Sequence, residues 1–331
     1  MPTKFVWDNN PGIALFDIIG LPRKHLVYSC FNYNPGAPEA NLELDQADAS
    51  AKRIYYTGER FLDDVNADIV IGFLPGPEVT KDKSYSVQVI NVLQGYTNTA
   101  QSIIPASSIV TLNRQFIVIR DQERGMLEYL YGQGRWKPGQ AINIYADLEL
   151  SWSSVKAGLK TRFCCFIVSN PGCWQRNNFF DILSRYKRVD SLGKYKRRLP
   201  ADIITVPERG DQDSYFQLLA QYKFIITFEN NSLAWYNTEK VFNAFQAGTI
   251  PIYWGDPLID QVYNPASFIW IKAHDDMKAQ FEEFRLAIER IKELDADSTK
   301  YAKLFREPVM VDAGAEDARL RASISSTINL V

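Results

Sequence analysis

Residues 224–255 read FIITFENNSLAWYNTEKVFNAFQAGTIPIYWG, and the order of apolar segments in this stretch decides the fold. Residues 224–228 form a short β-branched and aromatic run, and residues 238–247 carry apolar side chains at helical spacing until Gly248 stops them. Residues 249–254 form a second such run, stopped by Gly255. A strand, a helix and a strand in this order imply parallel pairing through a right-handed crossover. Upstream, residues 163–168 read as a strand, Ser169-Asn170-Pro171-Gly172 as a turn, 175–185 as a helix and 215–222 as another helix. Downstream, 268–271 reads as a strand. Met277, Phe281, Phe284, Ile288, Ile291 and Leu294 then mark an amphipathic helix expected to pack on its own domain. In the first half, 26–31, 53–56, 67–73 and 116–119 look like buried strands. The expected fold class is α/β with doubly wound parallel sheets, divided into residues 1–157 and 158–331 within the polar stretch 151–161, with the terminal helix allowed to pack back on the N-terminal domain.

Composition narrows the chemistry. With 331 residues, 46% hydrophobic and 23% charged, the chain can bury a large core, and its net charge of −2 gives no global field to attract nucleic acid or an anionic membrane. No window approaches about 18 uncharged apolar residues, so stable membrane insertion is not expected. The first residues have no apolar signal core, and the expected location is the cytoplasm. Cys30, Cys164, Cys165 and Cys173 form no paired CxxC spacing, and with only His25 and His274 a multi-histidine metal site is close to excluded.

Ligands of open α/β sheets bind beyond the carboxyl ends of the strands, and two loops there are chemically loaded. After residues 163–168 come Ser169, Asn170 and then Arg176, in the first turn of a helix. After residues 224–228 come Glu229, Asn230 and Asn231, and then Tyr236, Thr238, Glu239 and Lys240 at another helix start. Two helix N-termini with a guanidinium, an ammonium and planar neighbours (Trp174, Tyr236) look like a nucleotide diphosphate site. Neither G-x-G-x-x-G nor G-x-x-x-x-G-K-[ST] is present, which disfavours a dinucleotide dehydrogenase and a P-loop enzyme. Between positions 185 and 198 seven cations oppose only Asp190, which reads as a solvated rim of the nucleotide site. Asp211-Gln212-Asp213 mimics a metal-binding D-x-D but reads as an acidic helix start. Asn230-Asn231-Ser232 is a glycosylation sequon on which a glycan would block the site.

The pattern F-E-N, Y-x-T-E-K and P-I-Y-W-G in residues 224–255 resembles the donor-binding signature of the α1,3-fucosyltransferase family, glycosyltransferase family 10. Residues 168–179 are similar to the family's first nucleotide-binding loop, and Tyr55-Tyr56-Thr57-Gly58-Glu59 to its Y-T-G-E segment. The resemblance implies two Rossmann-like domains facing a cleft (GT-B type), with GDP-fucose on the C-terminal half and a glycan acceptor, an oligosaccharide or lipopolysaccharide, on the N-terminal half. Carried over by position, Arg176 and Lys240 neutralise the diphosphate, Tyr236 and Glu239 hold the ribose or fucose, and Ser169, Asn170 and Asn230 line the same pocket. Glu59 is the implied catalytic base. The implied reaction is an inverting transfer of L-fucose from GDP-β-L-fucose to a hydroxyl, the 3-OH of GlcNAc or glucose, with no metal and no cofactor. Another GDP-hexose donor, or a catalytically silent nucleotide-sugar or glycan-binding protein, are the alternatives.

Overall fold

A computed structural model describes residues 143–203, 205–207, 211–232 and 237–322 in full, the terminal helix backbone to Leu330, Met126, and the backbone of five N-terminal strands. The chain divides into two compact units, Met1–Ile142 with Asp317–Val331, and Asn143–Glu316.

In the first unit, β1 (Phe5–Trp7), β2 (Leu26–Cys30), β3 (Arg53–Thr57), β4 (Ile69–Gly72) and β5 (Gln88–Asn91) pair in that order. All four pairings are parallel, with Thr57 opposite both Cys30 and Gly72. The strands expected at 26–31, 53–56 and 67–73 are present. The strand expected at 116–119 lies outside the described residues.

The second unit begins with α1 (Ile144–Ser153) and alternates β6 (Arg162–Phe166), α2 (Trp174–Tyr186), β7 (Val189–Ser191), α3 (Gln212–Leu219) and β8 (Tyr222–Ile226). It continues with α4 (Glu239–Gln246), β9 (Ile250–Tyr253), β10 (Ile269–Trp270), α5 (Met277–Ala296) and α6 (Ser298–Leu304); α7 (Ala313–Leu330) follows. Its sheet has the order β10-β9-β8-β6-β7, and every pairing is parallel. The chain leaves β6 toward β7 on one side and returns to build β8, β9 and β10 on the other. That reversal opens a crevice beyond the carboxyl ends of β6 and β8, where the connecting loops part in opposite directions.

Burial on both faces explains why these strands are continuous apolar runs. Phe163 to Phe166 and Phe224 to Ile226 are buried, as is all of β9. Phe179 of α2, Phe228 and Phe284 of α5 meet at ring distances of 5.1 to 6.1 Å, and α5 turns Ile288, Ile291 and Leu294 inward. The amphipathic helix thus packs on its own unit.

Two expectations change. The unit boundary falls at 142/143, before the expected 157/158, because α1 belongs to the second core. Tyr145, Leu148 and Trp152 are buried, with Trp152 5.1 Å from Phe245 and 4.5 Å from Phe305. The helix expected at 215–222 is Gln212–Leu219, and Tyr222 instead opens β8. Asp211 sets that start, since its carboxylate accepts a hydrogen bond from the Ser214 amide at 3.1 Å.

Candidate functional site

The loops after β6 and β8 and the N-termini of α3 and α4 enclose a pocket of about 470 Å³. Ser169, Asn170, Arg176, Asn230, Glu239 and Lys240, six residues singled out in the sequence, all line it. Tyr236 and Glu59 lie outside the described residues. Trp174 does not line the pocket; it is 38% exposed, with its ring 6.3 Å from Phe281 of α5.

Arg176 ties the two loops together. It sits in the first turn of α2 and is only 1% exposed. One terminal nitrogen donates to the Phe228 carbonyl at 3.4 Å and to Asn230 Oδ1 at 3.0 Å, and the other donates to the Asn170 carbonyl. A planar guanidinium spreads its donors over two terminal nitrogens and so reaches acceptors on both loops at once. The Asn170 side chain accepts from the Gly172 amide at 2.8 Å and closes the turn that carries its carbonyl to Arg176.

The second loop is organised by a residue to which the sequence analysis gave no role. Glu229 is fully buried and accepts from the Thr238 amide at 2.7 Å, the Thr238 hydroxyl at 2.8 Å and Lys240 Nζ at 2.7 Å. Lys240 also donates to the Thr238 hydroxyl at 2.7 Å. The helix α4 therefore begins on a carboxylate supplied by the preceding strand end, a placement favoured by the amide groups at a helix N-terminus. Gly255, at φ +154°, makes room for it: a Cβ there would lie 2.6 Å from Glu229 Cγ. Asn237 donates to Asp256 at 2.9 Å, fastening the loop before α4 to the loop after β9.

The first loop has its own backstop. A Cβ on Gly193 would lie 2.3 Å from the Val168 amide nitrogen, so the turn after β7 is pressed directly on the pocket wall. The pocket lining also has apolar and aromatic members, Val206, Pro207, Tyr215 and Phe216. Burial pushes the Tyr215 phenol well above its ordinary pKa, so it is neutral here. The helical spacing of 215 and 216 was visible in the sequence, but nothing there said which face of α3 meets the pocket. The lining thus combines two cations, Arg176 and Lys240, with apolar and aromatic side chains, a mixture that suits a nucleoside diphosphate. Asp211 lines the pocket as a helix cap, and among the described residues no acidic or histidine cluster could hold a metal.

Residues 157–313 match the family model described as glycosyltransferase family 10 (fucosyltransferase) C-term. An alpha-(1,3)-fucosyltransferase FucT of Helicobacter pylori is 35% identical over 149 residues, 45% of this chain and 28% of that one. A GDP-fucose protein O-fucosyltransferase 3 of Bos taurus is 34% identical over 128 residues, 38% of this chain and 25% of that one. The matches thus span under a third of the length of these relatives. A crystal structure of an α1,3-fucosyltransferase with GDP-fucose aligns over 94% of this chain and 79% of that chain, at TM-score 0.50 and 21% identity, which shows a shared GT-B α/β fold. The signature residues of the pocket lie inside the matched segment, and residues 157–313 are similar to the C-terminal part of glycosyltransferase family 10, the fucosyltransferases.

Proposed function

We propose that the protein transfers L-fucose from GDP-β-L-fucose to an acceptor hydroxyl, with inversion, and that the pocket at the β6–β8 crevice holds the donor. The observation that carries this reading is the convergence of Arg176, Asn230, Glu239 and Lys240 on one pocket. Breaking the sugar–phosphate bond places negative charge on the departing β-phosphate. Cations fixed in a partly desolvated site before that charge develops stabilise the transition state without reorganising. Arg176 is fixed by Asn170, Phe228 and Asn230, and Lys240 by Glu229 and Thr238. In this reading the protein's own cations do the work of a metal, and the reaction proceeds in chelator.

A single displacement also needs a base for the acceptor proton. Glu59, two positions beyond the end of β3 in sequence, takes that role in this reading, and the acceptor binds to the N-terminal half. The acceptor is a sugar hydroxyl of an oligosaccharide or lipopolysaccharide, and the protein works in the cytoplasm. The similarity to a protein O-fucosyltransferase supports a second acceptor class, a serine or threonine hydroxyl of a polypeptide.

The test is GDP release from GDP-fucose, GDP-mannose and UDP-galactose in EDTA, with N-acetyllactosamine or an unfolded polypeptide as acceptor. Acceptor-dependent release from GDP-fucose alone supports the reading, and the productive acceptor chooses between the two classes. Glu59→Ala is expected to lower turnover by a factor of about 10² or more. Release from another nucleotide sugar, or a Glu59→Ala variant at wild-type rate, contradicts the donor or the base respectively.

A further inference from the structure

The pocket is short of positive charge for a diphosphate. Its charged lining consists of Arg176 and Lys240 against Asp211 and Glu239, and Lys240 is already paired with the buried Glu229. A nucleoside diphosphate brings more than one further negative charge, so a third cation at the pocket edge would bind it more favourably than these residues alone.

The basic window 185–198 contains a residue placed for this. Within it, Lys187 is paired with Asp295, Arg188 with Asp190 and Lys196 with Asp181, and Arg197 donates to the Leu192 carbonyl. Lys194 and Arg198 are exposed, and neither side chain has a hydrogen-bond or ion-pair partner among the described residues; of the two, Lys194 directly follows Gly193, which abuts the pocket wall. Its backbone amide donates to the carbonyl of Val168, a pocket-wall residue, at 2.8 Å.

The loop that carries Lys194 is built tightly. Ser191 and Arg198 close it by an antiparallel bridge, the Ser191 hydroxyl donates to the Tyr195 carbonyl, and Gly193 abuts the Val168 backbone. Tyr195 packs its ring 5.8 Å from Phe180 and donates to Asp181, and Lys196 stands at φ +42°, a left-handed conformation that a lysine rarely adopts. Strain at Lys196 and the anchoring of Gly193 and Tyr195 on either side fix the backbone of the one residue between them. A lysine hung from a fixed backbone loses less freedom on binding an anion than one on a loose surface loop.

We propose that Lys194 is a further donor-binding residue, contacting the diphosphate of the nucleotide sugar at the Val168–Ser169 edge of the pocket. The proposal rests on the assignment of this pocket to a GDP-sugar. It is tested by titrating the full chain with GDP and with guanosine, comparing wild type with Lys194→Gln, Lys194→Arg and Arg185→Gln. Arg185 belongs to the same basic window but lines a different groove, between α2 and α5, so its variant reports the general field. Lys194→Gln is expected to weaken GDP binding about tenfold, the scale of one charge-assisted hydrogen bond. Guanosine binding stays unchanged, Lys194→Arg recovers most of the loss, and the wild-type salt dependence falls by about one ion in the Gln variant. If wild type binds GDP and Lys194→Gln binds it equally, or if Arg185→Gln loses as much, the proposal is overturned and the pocket assignment stands. If wild type binds no GDP, the pocket assignment fails and this proposal with it.

Discussion

Glu229 and Lys240 meet at 2.7 Å, and Glu282 and Arg285 on the outer face of α5 meet at 2.6 Å. Distance does not separate these pairs; surroundings do. Glu229 has no exposed side-chain surface, and its hydrogen bonds to Thr238 and Lys240 replace the water it lost. Glu282 and Arg285 are each more than half exposed and keep their water whether or not they touch. Removing one partner of the buried pair strands the other in a medium that solvates it poorly, whereas a surface charge that loses its partner is rehydrated and screened by salt. The lesson for the site is that its shape depends on a carboxylate that does not itself line the pocket.

The largest effect is therefore expected from Glu229→Ala. It removes the acceptor of the Thr238 amide and leaves Lys240 half-buried without its counter-ion, a loss of about 3 kcal/mol, at the lower end for a broken buried pair. Chemical unfolding followed by tryptophan fluorescence measures it, with Glu229→Gln, which keeps an acceptor for Thr238, losing roughly half as much. A variant as stable as wild type contradicts the role given to Glu229.

Asp295 stands between the two extremes and sharpens the comparison. Its carboxylate is buried and accepts from both Lys187 and Lys223 at 2.8 Å. Burial disfavours the charged form, but the hydrogen bonds from Lys187 and Lys223 outweigh it and hold the carboxyl below its ordinary pKa. The folded state thus binds this proton more weakly than the unfolded chain. The stability it contributes is complete above the ordinary carboxylate value of about 4 and is lost as pH falls through the lower folded value. Asp295→Asn is expected to be less stable than wild type at pH 7, with the gap closing below about pH 4. A gap that does not change with pH contradicts the pairing.

The smallest effect belongs to the surface. Arg285→Gln is expected to leave the unfolding midpoint and GDP binding unchanged within error, at low and high salt alike. A clear loss at low salt would mean that the surface pairs carry weight not assigned to them here.

The same contrast explains how much was legible in the sequence. The strands β6, β8 and β9 were readable because a strand buried on both faces must be a run of apolar residues, and α4 because Gly248 ends its apolar spacing. Six pocket residues were legible because the family's signature is long and the chain order puts its parts after adjacent strands. Glu229 was quoted within that signature but its role was not legible, since a glutamate at a strand end reads as exposed until Gly255 and Thr238 are seen to enclose it. The helix α1 is illegible for a related reason: Tyr145 and Trp152 find their partners about a hundred residues or more away, in Phe242, Phe245 and Phe305. The sequence marks Arg176 as an anion clamp, and its second duty as a brace across the crevice is visible only in its bonds to the carbonyls of Asn170 and Phe228.

The central claim is that the pocket braced by Arg176 is the seat of a GDP-sugar, and calorimetric titration of GDP into wild type and Arg176→Gln tests it most directly. Saturable binding by wild type that weakens at least tenfold in a folded Arg176→Gln variant is the result expected from losing a buried, charge-assisted contact and the brace together. Equal affinity in the two proteins, or no GDP binding by wild type, would contradict it.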